Sequence, residues 1–106
     1  MDYSDKETSI MNFKNKLLKA IELCEHEANN RKQGISGEST LEQLEMVIIP
    51  ELKEILEIIN MQQFPTKEKR YLNSFGSAFT VWGWNMQIPT ELFIMLKELN
   101  DEYKAL

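Results

Sequence analysis

Apolar residues recur along most of the chain at spacings of three and four, with polar and charged residues between them. This period is that of one face of an amphipathic α-helix. It occurs in four segments, whose repeat positions are Ile10, Phe13, Leu17, Ile21, Cys24 and Ala28; Leu41, Leu44, Ile48, Leu52, Ile55 and Ile59; Tyr71, Phe75, Ala78 and Trp82; and Leu92, Leu96, Leu99, Tyr103 and Leu106. Amphipathic helices joined by short links bury their stripes against one another. The pattern therefore predicts an all-α protein, an antiparallel bundle of about four helices in a single domain spanning residues 1–106.

The first two helices have recognisable end signals. Residues 1–8 are polar, and we expect them to form a frayed leader. Helix one then begins at Ser9 and ends at Gln33, just before the glycines of QGISG. Helix two begins at Ser39, because Ser39 and Glu42 have the spacing of a capping box, in which each side chain bonds a backbone donor of the other position.

The third segment allows two interpretations. We predict a helix that begins after the cap residue Thr66 and ends at Gly83. The run FTVWGW at 79–84 is rich in residues that favour strands, but a lone strand would have no partner, so we prefer the helix. Pro89 suits the first turn of helix four, which continues to the end of the chain.

Helix two is apolar on more than one side. Its stripe keeps its phase through Pro50, so we predict one helix with a kink just before the proline, which lacks an N–H donor and crowds the preceding turn. A second set of apolar positions lies off the stripe: Val47, Ile49, Leu56 and Ile58. Leaving all four in water would forfeit much of the stability of a small domain. Either the other helices cover this set in a monomer, or a homodimer covers it through Ile49 and Leu56; we favour the homodimer.

Negative charge is concentrated in helix two. The chain has 17 acidic residues against 12 lysines and arginines, a formal net charge of −5. Between residues 38 and 60 there is one base, Lys53, and the six acids are Glu38, Glu42, Glu45, Glu51, Glu54 and Glu57. This excess repels nucleic acids and anionic lipids and favours a basic protein partner, with a merely solvated helix face as the alternative. We expect Glu42 and Glu45 to contact such a partner.

The stretch SFGSAFTVWGWN at 74–85 concentrates aromatic and small residues. Trp82 lies on the third stripe and is predicted to be in the core. Trp84 lies beyond the predicted helix end, where it is either a lid on the core or a surface anchor for a partner. A second hypothesis is a small-ligand pocket lined by the aromatic residues of 75–84. The polar groups available to such a pocket are Asn73, Ser77 and Asn85.

Groups suited to catalysis are scarce. The only cysteine and histidine, Cys24 and His26, are two apart on one helix and point away from each other, so they cannot form a nucleophile–base pair. Cys24 continues the apolar stripe and is predicted to be buried. Glu22 and His26 make half of a metal site without a second histidine, and no glycine-rich phosphate loop occurs. We therefore predict a protein that is not an enzyme, with no catalytic, cofactor or metal site.

The compartment follows from weaker signals. A single cysteine cannot form an intramolecular disulfide, and the start MDYSDKETS is too polar and acidic for a signal peptide. No apolar run approaches the roughly 20 residues that span a bilayer. We expect a cytoplasmic protein that does not bind membranes.

The run TLEQLEMVIIPELKEILEIIN, followed by KRYLNSF, WGWN and the closing LNDEYKAL, resembles small acidic helical proteins of Gram-positive bacteria. Some of these are encoded beside secreted toxins as candidate immunity proteins. The resemblance covers residues 39–106 and implies a protein that neutralises a toxin by binding it. Together with the charge pattern, it predicts a non-enzymatic interaction module for a basic toxin domain.

Overall fold

Every regular element of the described chain is helical. The computed structural model describes the backbone of residues 3–106 and the side chains from residue 6 onward. In chain order the elements are α1 (Tyr3–Lys32), a π-helical segment (Gln43–Ile48), α2 (Ile49–Met61), a 3₁₀ turn (Lys67–Lys69), α3 (Asn73–Thr80) and α4 (Glu91–Ala105). No strand occurs between residues 3 and 106, so the all-α fold is confirmed and the alternative strand at 79–84 is wrong.

Helix α1 lies antiparallel to both α2 and α4. Near its start the ring of Phe13 stacks on Tyr103 at the end of α4, with centroids 5.4 Å apart. Near its end Lys32 pairs with Glu45 at 2.8 Å, just before α2. The predicted stripes of helices one, two and four form the core between these elements. Three outer positions of these stripes are only half-buried: Ile10, Leu41 and Leu106.

The ends of α1 differ slightly from those predicted. The helix begins at Tyr3, six residues before Ser9, so residues 3–8 of the expected leader are helical; residues 1 and 2 lie outside the described part of the chain. The polar side chains of residues 6–9 are exposed, which suits a helix that extends past its own core contacts. At the other end α1 stops at Lys32, one residue before Gln33.

The capping box of helix two lies one residue later than predicted. The Thr40 backbone N–H donates to Gln43 Oε1 at 3.1 Å, and the Gln43 N–H donates to Thr40 Oγ1 at 3.0 Å. Ser39 is instead held by Arg31, which donates to its carbonyl oxygen at 2.6 Å and to its hydroxyl oxygen at 3.1 Å. Ser39 and Glu42 have the same spacing as Thr40 and Gln43. Because Arg31 binds Ser39, the Thr40–Gln43 pair forms the capping box instead.

The π-helical segment Gln43–Ile48 continues directly into α2, whose first turn contains Pro50. Together they form the helix that the sequence predicted as helix two. At the end of the π-helical segment the Ile49 N–H donates to Leu44 O, five residues earlier. This wider turn gives the proline ring more room beside the carbonyl group of Met46. The predicted continuity of helix two through Pro50 is confirmed, and the kink itself stays a prediction.

The third helix is much shorter than predicted. Thr66 precedes only the 3₁₀ turn and makes no side-chain cap, while Tyr71 is exposed rather than part of a stripe. α3 ends at Thr80, before Gly83, whose φ of +68° is the left-handed conformation that glycine adopts readily. In α4 the predicted role of Pro89 is also wrong. It precedes the cap residue Thr90, whose hydroxyl accepts from the Phe93 N–H at 3.2 Å.

A carboxylate of α2 caps α3 from outside the helix. Glu51 accepts hydrogen bonds from the backbone N–H groups of Asn73 at 2.7 Å and Ser74 at 2.8 Å. The Ser74 hydroxyl donates to the same carboxylate at 2.6 Å. The first N–H groups of a helix have no partner within it, and negative charge is favourable at that end. Glu51 therefore fixes α3 to the side of α2.

We predict that Glu51→Ala lowers the free energy of unfolding by about 1–3 kcal/mol, because it removes three hydrogen bonds to a charged acceptor at a helix start. Urea unfolding measures the change. The matched control is Glu57→Ala, two turns later on α2, where the carboxylate is exposed and caps nothing; its expected change is within about 0.5 kcal/mol. Equal effects of the two substitutions would contradict the capping role.

Gln62 ends α2 in a left-handed conformation, with φ of 55°. The N–H groups of Gln62 and Gln63 donate to Ile59 O and Ile58 O at 3.1 Å each, the Schellman arrangement that usually contains glycine. We predict that Gln62→Gly stabilises the protein by about 0.5–1 kcal/mol in urea unfolding, because relief of the backbone strain exceeds the added chain entropy. The control Gln63→Gly, at a position without positive φ, should not stabilise it.

Candidate functional site

Half of the acids between residues 38 and 60 are used within the fold. Glu45 pairs with Lys32, Glu51 caps α3, and Glu38 accepts from the Asn85 N–H at 2.8 Å. The single base of the segment, Lys53, pairs with Glu25 of α1 at 3.7 Å. Three exposed acids make no hydrogen bond or ion pair within the described residues: Glu42, Glu54 and Glu57. The charge available to a partner is therefore carried by three carboxylates rather than six.

These three acids share one exposed stripe on the outside of helix two. The exposed positions follow one another at helical spacing: Glu42, Met46, Pro50, Glu54, Glu57 and Met61. Met46 and Met61 expose 72% and 54% of their surface. Methionine is flexible and polarizable, which suits adaptable protein contacts. This acidic stripe, as we name the six positions, combines free negative charge with exposed apolar surface.

The predicted contact residues do not all lie on the acidic stripe. Glu42 does. Glu45 and Ile49 instead line a groove between α1 and helix two. Leu56 is half-buried and, like Ile49, packs on the core of its own chain. Much of the second apolar set is thus covered within one chain, which weakens the reason for a homodimer at Ile49 and Leu56; that dimer stays a prediction.

The assignment of Trp84 to a partner surface is wrong. Its side chain is buried and meets Phe93 edge-on, with ring centroids 5.5 Å apart, and Trp82 at the same distance. The turn at Gly83 brings the Trp84 N–H to Ala78 O at 3.2 Å and so directs the indole back over α4. Of the two alternatives in the sequence, the lid on the core is the one that forms.

The aromatic residues of 75–84 divide between core and surface. Phe75 and Phe79 border an open groove of about 190 Å³ between α3 and α4, whereas the two tryptophans do not line it. The remaining lining residues are Met86, Pro89, Phe93, Ile94 and Lys97. None of the polar groups expected for a ligand pocket reaches the groove: Asn73, Ser77 and Asn85.

The structure separates the residues considered for catalysis. Cys24 is completely buried, as predicted, while His26 is exposed on the opposite side of α1. Across the described residues no group of three or more histidine, cysteine, aspartate or glutamate side chains could hold a metal ion. None of the helices in that part of the chain is long and apolar enough to cross a membrane.

Two features of the surface were not predicted from the sequence. The first is that some acids of helix two bond within the fold while others do not. This difference depends on tertiary contacts, so the local sequence does not reveal it. The second is a cluster of exposed apolar residues after α3, in the loop at 81–90. The signal that could have found it is the run at 71–90, which contains no charged residue.

Comparison of the chain with protein-family models, with curated proteins and with solved structures finds no match. The resemblance to candidate immunity proteins therefore stays a prediction. The function is argued below from the charges, exposure and contacts of the described residues.

We predict that Cys24 is unreactive in the folded protein. Burial, with smaller contributions from the carboxylates of Glu25 and Glu27, raises the pKa of its thiol to about 12, and the thiolate is the reactive form. Alkylation of Cys24 by iodoacetamide at pH 8, followed by mass spectrometry, should be at least about 100-fold slower in the native protein than in the protein unfolded in guanidinium. Since the folded pKa lies above the unfolded value, the stability that this group contributes is complete below about pH 9 and is lost as pH rises towards 12. Rapid labelling of the native protein would contradict the prediction.

Proposed function

We propose that this protein is a non-enzymatic interaction module that binds a basic protein through the acidic stripe. Its most concrete form is an immunity or antitoxin protein that acts in the bacterial cytoplasm and neutralises a toxin domain by covering it. The observation that carries the proposal is the presence of three free carboxylates, Glu42, Glu54 and Glu57, beside two exposed methionines.

Electrostatics supports a basic partner over other classes. Two bases of this region, Lys32 and Lys53, are already paired with Glu45 and Glu25 within the fold. Complementary charge speeds association and excludes partners of the wrong sign, while the apolar contacts slow dissociation. An acidic stripe of this kind repels nucleic acids and anionic membranes.

The stripe is long enough for a specific interface. Its ends, Glu42 and Met61, are 19 residues apart, which corresponds to about 29 Å of helix. Specific interfaces bury about 800 Å² on each partner, an area that one exposed helix and its neighbouring residues can supply. A partner helix or loop with lysine or arginine at similar spacing would match it.

The small-ligand hypothesis has less support. The groove beside Phe75 and Phe79 measures about 190 Å³, below the roughly 300–1,000 Å³ of typical ligand pockets. Its only charged lining residue is Lys97, which is paired with Asp101 at 2.8 Å. Such a groove offers few groups to orient a small molecule.

The direct test is co-expression of this chain with a secreted toxin-like protein encoded beside its gene. Relief of growth inhibition, together with a complex measurable by calorimetry, would support the proposal. Absence of a toxin-like neighbour, combined with recovery of no partner by affinity isolation from the source cells, would contradict it.

We predict that the triple substitution Glu42→Gln, Glu54→Gln and Glu57→Gln weakens the complex on the order of ten-fold, since exposed charge pairs contribute about 0.2–1 kcal/mol each. Calorimetry at low salt measures the change, and the difference from the wild type should shrink as salt is raised. The matched control changes the net charge equally at three exposed acids of other elements: Glu22, Glu68 and Glu91. Equal weakening by both sets would mean that overall charge, not the stripe, controls binding.

A further inference from the structure

The side of the molecule formed by α3, the 81–90 loop and the outer side of α4 exposes a large apolar surface. Between 44% and 78% of each of five side chains is exposed there: Phe79, Val81, Met86, Ile88 and Ile94. Together they expose about as much as three complete side chains, on the order of 500 Å². The largest apolar patch of a typical monomer is about 300–600 Å² and is often functional. We name these five residues and their surroundings the uncharged face.

Three members of this set lie together. Phe79, Met86 and Ile94 line the same groove between α3 and α4, so these three form one surface, and Val81 and Ile88 lie on the loop that carries Met86. Phe93 also lines the groove; it is buried and packs against Phe75 with ring centroids 5.8 Å apart. The uncharged face is therefore a rigid apolar surface with a shallow concavity.

Charge is missing from the part of this face that α3 and the 81–90 loop form, whereas Glu91, Lys97 and Glu98 are exposed near Ile94 on α4. Residues 71–90 contain no aspartate, glutamate, lysine, arginine or histidine, whereas the whole chain contains 29 acidic and basic residues, 17 plus 12. Lys97 borders the groove, but its ammonium group pairs with Asp101 and adds no net charge. A basic or acidic partner would find no charged group on the part formed by residues 71–90.

The loop that carries Met86 and Ile88 is held in place by specific hydrogen bonds. Asn85 Oδ1 accepts from the N–H groups of Gln87 at 2.9 Å and Ile88 at 3.0 Å. The Asn85 N–H donates to Glu38 at 2.8 Å, and the neighbouring Trp84 is anchored in the core. The apolar side chains are thus fixed outward, in an arrangement prepared for contact.

We propose that the uncharged face binds the same face of a second copy of this chain, forming a two-fold symmetric dimer. Each copy has a formal net charge of −5, so two copies repel one another through most orientations, and contact through the uncharged residues 71–90 permits their approach. The apolar patch with its rim of Thr80, Asn85 and Gln87 approaches the roughly 800 Å² per partner of a specific interface. This dimer is distinct from one through Ile49 and Leu56, and it leaves the acidic stripe to another partner.

The test is sedimentation velocity of the wild type and of two variants between about 1 and 500 μM. We expect a wild-type dimer of twice the 12.5 kDa chain mass, with a Kd in the micromolar range or below. Ile88→Glu places a charge from each copy in the interface, and should weaken the dimer at least about ten-fold. Met46→Glu is the matched control, because Met46 is similarly exposed but lies on the acidic stripe. The Kd of the dimer should be the same for this variant as for the wild type. Thermal unfolding at low concentration confirms that both variants fold.

Each other outcome overturns the proposal in a recognisable way. A wild-type monomer at 500 μM would exclude self-association through this face. A dimer lost in Met46→Glu and retained in Ile88→Glu would place the contact on helix two. If the wild type is a monomer and Ile88→Glu abolishes its binding to another protein, the uncharged face is the binding surface for that protein. A wild-type monomer, or a face assigned to a different protein, would leave the proposed binding of a basic partner intact, because that binding is tested by substitutions on another side of the molecule.

Discussion

The fold depends on the burial of one continuous apolar stripe on α1. Within the described residues, α1 packs on the π-helical segment, α2 and α4, and these elements cover its fully buried residues from Phe13 to Cys24. Because α1 runs antiparallel to both of these neighbours, α2 and α4 run in the same direction. Two parallel helices cannot be joined by a short turn. Residues 62–90 must therefore return along the molecule, and they do so as a 3₁₀ turn, α3 and two loops.

The returning segment is fixed by polar contacts more than by its own helical preference. An eight-residue helix is marginal in isolation. Glu51 of α2 caps its start, while Asn100 of α4 accepts from the N–H of Leu72, the residue before it, at 2.8 Å. These two contacts attach α3 to both neighbouring helices. They also determine where the 81–90 loop begins, and hence which side chains it presents to solvent.

The sequence predicted the long helices well because their buried positions repeat with the helical period, and that signal is local. Some of its errors occur where a local rule leaves two choices and the folded structure selects one. Ser39 was a valid cap, but Arg31 binds it and Thr40 takes its place. Whether the Trp84 side chain points to the core or to solvent depends on the turn at Gly83, which the sequence pattern does not determine. The candidate site was predictable only in part, since the use of Glu45 and Glu51 within the fold depends on residues far along the chain.

The same tertiary contacts that use some acids define the character of the remaining surface. Carboxylates that bond to α1 or α3 are removed from the charge available to a partner, and the remaining free ones lie on the outside of helix two. The returning segment at 71–90 is uncharged, so its exposed residues attract by apolar contact alone. In the proposed arrangement, one surface selects partners by the sign of their charge, and the other by exclusion of water. Since the two lie on different elements, a copy of the chain and a basic protein could bind the same molecule without competing for the same residues.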